Sequence, residues 1–236
     1  MSKHRPLTAV ASALCALMLS GCAGSASPGV GAKVGDETIG TSRIDDVAQN
    51  LCTAFSEQIA AENADVALIE IRQIAVRLLV QGAQAEQIAE DYDVTPSGVY
   101  QNAVGDSTRA ASAMPEEVRE DYIELASTPA LVADVESQVG RSKLADEGIA
   151  EPTAEQAAQA GADVFATWTA SNEIDLDPKY GLEVKDGTLA SVDTSLSFAV
   201  SDGARAGMAN MAAEAEREAA MADYARSLPA SQRCGG

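Results

Sequence analysis

The sequence predicts a mainly α chain: a single helical domain with a short N-terminal β-hairpin and a few short strands near the C-terminal third. Three observations carry this expectation. Apolar residues recur at three- and four-residue steps through most of the chain, the period of a helix face. The 236 residues are 46% hydrophobic but only 4% aromatic, an Ala-rich composition that suits helices and is poor in strand formers. Extended runs are short and sit beside turn dipeptides, Gly35-Asp36 and Asp186-Gly187. The length suits one domain able to bury roughly 70% of its unfolded surface, and the apolar content is too high for a disordered acidic tail.

Ala32-Lys33-Val34 and Glu37-Thr38-Ile39 flank Gly35-Asp36 as a hairpin. Thr41 or Ser42 can then cap a helix whose apolar face is Ile44, Val47, Leu51, Phe55 and Ile59. Val66 to Val80 is the most hydrophobic segment beyond the N-terminus and covers more than one face, so it is expected at the centre of the domain. Short helices follow at Gln84 to Asp91 and Pro96 to Val104, then Pro115 to Ala126, with Pro at a first helical position. Ala130 to Asp146 and Ala154 to Ser171 are longer helices, the second carrying Val164, Phe165 and Trp168. Extended pieces at Leu182 to Val184 and Ser195 to Val200 precede a last helix from about Ala204 to Ser227, ended by Pro229.

The N-terminus reads as an address. Lys3-His4-Arg5 precedes an apolar stretch from Leu7 to Met18, shorter than the about 20 residues that span a bilayer. It ends in Leu19-Ser20-Gly21-Cys22, which resembles a bacterial lipobox. That resemblance implies residues 1–21 as a lipoprotein signal peptide, acylation of Cys22 and residues 22–31 as a flexible tether, with residues 32–236 as the domain. An ordinary secretory signal is the alternative. The expected location is the cell membrane, lipid-anchored on its extracytoplasmic side.

The charge excludes some partners. There are 16 Lys+Arg against 36 Asp+Glu, a net of −20; cleavage before Cys22 removes Lys3 and Arg5 and no acid, leaving −22. No nucleic-acid partner is expected, because such binding needs cations that displace the phosphate counterions. Ala85 to Val99 imitates a helix-turn-helix, but Glu86, Glu90, Asp91 and Asp93 populate it and Val94 to Gly105 holds no Lys or Arg. Asp175, Asp177 and Asp186 imitate a calcium loop, yet Lys179 and Tyr180 stand where an oxygen ligand and Gly are required. Glu116 and Glu117 read as a solvated helix start. His4 is the only histidine and leaves with the signal peptide, so no Ser–His–Asp, Cys–His or His-ligated zinc site is possible in the mature chain. No catalytic residue, metal or cofactor is assigned.

Besides Cys22, the mature chain keeps Cys52 and Cys234. Outside the cytoplasm they can form a disulfide tying the tail to the first helix, or stay as two thiols.

Val34-Gly35-Asp36-Glu37-Thr38-Ile39, followed by Thr41-Ser42-Arg43-Ile44-Asp45-Asp46, resembles the opening of SurA-type N-terminal chaperone domains. Ala89 to Val99, Asp177 to Gly181 and Ser195 to Val200 are similar to later elements of such lipoproteins. The resemblance implies a SurA/PrsA-like extracytoplasmic module that holds unfolded or secreted polypeptides. The parvulin-type isomerase domain of many relatives has no room here. Ile44, Leu51, Phe55 and Trp168 are the candidate walls of an apolar client groove, and they suit a core equally. The alternative expectation is an envelope scaffold binding one folded partner; residual prolyl isomerase activity is a further one.

Overall fold

The computed structural model describes residues 28–185, 187–192 and 214–234, with side chains left aside at 214–220. The expected signal peptide, Cys22, Asp186, the expected extended piece at Ser195 to Val200 and residues 204–213 of the expected last helix lie outside the described residues. Among those described, seven α-helices dominate, as the composition predicts: α1 Thr41–Ala54, α2 Ser56–Ala61, α3 Leu68–Asp91, α4 Gly98–Ala111, α5 Glu116–Asp146, α6 Ala154–Ser171 and α7 Glu214–Ser227. The strands are β1 Val30–Val34, β2 Glu37–Gly40, β3 Val66–Ala67, β4 Ile174–Leu176, β5 Leu182–Lys185, β6 Thr188–Ser191 and β7 Arg233–Cys234. No described helix is long and apolar enough to cross a membrane.

β1 and β2 form the expected hairpin, with Val34 opposite Glu37 across the two-residue turn. Gly35 takes φ +54° while Asp36 stays at negative φ, the type II′ arrangement that places Gly first. Antiparallel pairing of β4 with the other side of β1 completes a sheet of order β2-β1-β4. Among the described residues β2 is therefore an edge strand. Val30 and Gly31, expected in the tether, belong to β1, because the chain already pairs with Gly40 there.

Several boundaries differ from the sequence reading. α1 begins at Thr41 without a side-chain cap, since the Thr41 N–H donates to the Gly29 carbonyl at 2.9 Å. Its apolar face is interrupted at Phe55, and Ile59 falls on α2. The two helices expected between Val66 and Asp91 are one 24-residue helix, α3. Gly82 does not end it, because packing outweighs a propensity cost of about 1 kcal/mol. Pro115 occupies the N-cap position of α5 and Glu116 begins the helix. α5 then runs through Pro129, which lacks the N–H that would reach the Leu125 carbonyl. Leu125, Leu131 and Val135 are buried on both sides of the proline, so tertiary contact carries the helix across it. α4 begins at Gly98, capped by Ser97, and runs to Ala111 rather than over the expected Pro96 to Val104, and Thr153 with Gln156 closes a capping box on α6.

α3 runs through the centre of one continuous core, packed by α1, α5, α6 and the sheet. Polar side chains on α3 fasten the strands to it. The Gln87 amide donates to the Val34 carbonyl at 2.8 Å and its oxygen accepts the Asp36 N–H at 3.1 Å. Gln73 donates to the Tyr180 carbonyl at 2.9 Å, and Arg77 holds the Leu189 carbonyl of β6. β5 pairs with β6 across Gly187.

Candidate functional site

The expected groove residues lie in the core instead. Ile44 is 0%, Leu51 5% and Trp168 8% exposed, and Phe55 is half-buried with its ring edge-on to Tyr122 at 5.9 Å. Trp168 caps the far end of α3, donating from Nε1 to Asp91 at 3.1 Å. The helical spacing identifies a buried face correctly, but the sheet and α3 cover it, so these four residues form no open groove. Cys52 on α1 and Cys234 on β7 are joined in a disulfide, with Cα atoms 5.2 Å apart. It holds β7 beside β3, where Val66 pairs with Cys234.

A different cleft, of about 200 Å³, opens between β2, α1, α3, α4 and α5. All four β2 residues line it. Its floor rests on apolar side chains, Ile39, Leu79 and Leu131 buried and Leu78 and Tyr100 half-buried, while the surface that the cleft exposes is more polar than apolar. Its rim is acidic, because Glu37 from the hairpin, Glu86 from α3 and Glu124 from α5 project to the same opening. Burial raises the Glu86 pKa, and the nearby charges of Glu37 and Glu124 raise it further. Glu124 is also raised, first by burial, against the opposing pull of Arg43.

Among the described residues Arg43 is the only cation that lines the cleft, and it is already engaged. Its guanidinium bonds the Asp121 carboxylate and reaches Glu124 at 2.6 Å. Burial alone would lower its pKa, but Asp121 and Glu124 outweigh that and raise it. Asn50 donates to the second Asp121 oxygen at 2.6 Å, so this buried carboxylate is satisfied from both sides. Among the described residues neither Glu37 nor Glu86 has an ion-pair partner. Among the described residues the arrangement sets Glu37 and Glu86, without ion-pair partners, above buried apolar side chains, and no nucleophile paired with a base lines it.

Two other clefts lie among the described residues. One of about 230 Å³ between α3, α6 and the β5–β6 hairpin has its Gln84 amide committed to Thr169 at 2.8 Å. One of about 250 Å³ beside β7 is polar, with Asp65 bridged to Arg226 and Arg233, each at 3.5 Å. Asp175 lies in β4 and Asp177 caps the turn before Tyr180, accepting the Lys179 N–H at 3.0 Å. Among the described residues no cluster of His, Cys, Asp or Glu is grouped to hold a metal ion.

Glu37, Glu86 and Glu124 come from segments far apart in sequence, and no local motif joins them. The only sequence signal was the acid beside the apolar face of α3. The chain matches no family model, no curated protein and no solved structure.

Proposed function

We propose that the chain is an extracytoplasmic lipoprotein, tethered to the cell membrane through acylated Cys22, whose helical domain holds unfolded or secreted polypeptide segments without covalent chemistry. The observation that carries this reading is the cleft with the apolar floor and acidic rim. An apolar seat of that size accepts side chains that a folded protein would bury, and the −22 charge of the mature chain keeps the loaded module soluble. The likeness of Val34 to Asp46 to the opening of SurA-type chaperone domains supports the same reading.

Aggregation assays test it. The purified chain is expected to suppress aggregation of several chemically unfolded secretory proteins at near-stoichiometric ratio. No suppression for any of them overturns the reading. Anchoring is tested separately: labelled palmitate should enter the wild type and not Cys22→Ser.

A second reading, an envelope scaffold for one folded partner, draws on Val99, 66% exposed, and Tyr92, 41% exposed, at the α3–α4 junction. Cross-linking in cells separates the two. One dominant product at α4 favours the scaffold, and many heterogeneous products favour the chaperone.

A further inference from the structure

We propose that β2 receives an extended polypeptide segment as a fourth, antiparallel strand of the sheet, and that this segment carries an aliphatic residue and a Lys or Arg two positions apart. The proposal rests on the client-holding reading of the cleft and names what fills it.

The sheet edge is the first observation. Among the described residues β2 pairs with β1 on one side only. Val34 and Glu37 close a two-residue turn, so they form a hydrogen-bonded pair, and Lys33 with Thr38 is the next, non-bonded pair. Alternation then turns the Thr38 N–H and C=O away from β1. Because all four β2 residues line the cleft, that free edge opens into it. β2 has neither Pro nor Lys, two residues that commonly blunt an edge. An incoming strand would find the Thr38 donor and acceptor ready for its own backbone, the hallmark of β-augmentation.

The surroundings of β2 select the side chains. Residues directly opposite each other share a face of the sheet. A residue opposite Ile39 meets the apolar floor beside Leu79 and Leu131, which asks for an aliphatic side chain. A residue opposite Glu37 stands beside Glu37 and Glu86, which asks for a cation; repulsion between these carboxylates is part of what raises Glu86. Those two positions lie two apart, and the residue between them pairs with Thr38. The cleft, about 200 Å³, is smaller than the roughly 300–1,000 Å³ of a small-molecule site. It accommodates side chains rather than a cofactor.

The test uses the purified full chain and a labelled peptide with Val and Lys two positions apart in a Ser/Thr background, read by fluorescence anisotropy. Binding should weaken at least tenfold when the intervening residue of the peptide is N-methylated, and be lost when its Lys is replaced by Glu. Thr38→Pro removes the outward N–H while leaving the β1 pairing intact, and should also weaken binding at least tenfold. Equal binding of the N-methylated peptide to the wild type overturns strand addition, and this control holds even where Thr38→Pro does not fold. Aggregation suppression without peptide binding overturns strand addition alone. Peptide binding without suppression supports strand addition and overturns the chaperone reading. Loss of both overturns both.

Discussion

Gly140 on α5 and Gly161 on α6 stand at a backbone-to-backbone crossing, where a Cβ built on Gly140 would lie 2.7 Å from the Gly161 nitrogen and closer still to the Ala157 carbonyl. A Cβ on Gly161 would strike the Glu136 backbone in the same way. The longest described helix is thereby held against α6 by the absence of two side chains.

Either glycine replaced by Ala should therefore force the helices apart. Gly161→Ala is expected to lose about 1–3 kcal/mol in urea denaturation. Gly105→Ala on α4 is the control, since nothing lies within 4 Å of its added methyl. It should gain about 0.5–1 kcal/mol from helix propensity. Equal behaviour of the two variants contradicts the crossing.

The Cys52–Cys234 disulfide spans 182 residues. In the chain-entropy model a loop of that length stabilises by at most about 5 kcal/mol, and losses of about 2–5 kcal/mol are usual when a native disulfide is removed. Cys52→Ala with Cys234→Ala should lower the denaturation midpoint accordingly. Unchanged midpoints under oxidising and reducing conditions would argue that the bond is not formed in solution.

Tyr180 is 0% exposed, and among the described residues its hydroxyl has no hydrogen-bond partner of normal geometry. Burying an unsatisfied hydroxyl costs about 1–3 kcal/mol. Tyr180→Phe keeps the ring and removes that cost, so it should be neutral or stabilising by about 1 kcal/mol. A clear loss of stability would point to a partner for the oxygen.

Asp134, 6% exposed on α5, accepts both the Ser97 N–H and the Ser97 hydroxyl, the latter at 2.7 Å. Gln138 adds a bond to the Thr95 carbonyl at 3.0 Å, so α5 pins the turn into α4. Asp134→Ala should cost about 1.5–3 kcal/mol, the range for hydrogen bonds to a charged group. Hydrogen exchange should rise first at the start of α4. Uniform exchange across all helices would refute local pinning.

Glu86 is predicted to work against stability at neutral pH. Its folded pKa is raised by burial and by Glu37 and Glu124, so the folded state binds more protons than the unfolded chain above the ordinary glutamate value of about 4.3. Stability attributable to Glu86 thus falls as pH rises from that value through the raised one, and returns on acidification. Glu86→Gln should melt higher than wild type at pH 7 and match it near pH 4. A constant difference at both pH values contradicts the assignment.

The hairpin at Gly35-Asp36 and the Ile44, Val47 and Leu51 face of α1 were legible in the sequence because each depends on residues a few positions apart; the cap expected at Thr41 or Ser42 did not form, whereas Ser97 and Thr153 cap α4 and α6. A turn needs a particular φ, and a face needs only helical spacing. The breaks expected between Val80 and Gln84 and between Ala126 and Ala130, where Gly82 and Pro129 stand, are absent for the complementary reason. Both residues are local breakers, and both are overridden by contacts from residues far away in the chain.

Composition, charge order and periodicity thus determined by themselves that the domain is helical, acidic and opened by a hairpin, and which faces are apolar. Only the tertiary structure decided which apolar faces are covered. Ile44, Leu51 and Trp168 became core because the sheet and α3 close over them, while Ile39 and Leu79 came to floor a cleft. Glu37, Glu86 and Glu124 meet only after the chain has packed. A helix period states that a side chain faces one way; what stands opposite is set by long-range packing, which no local pattern encodes.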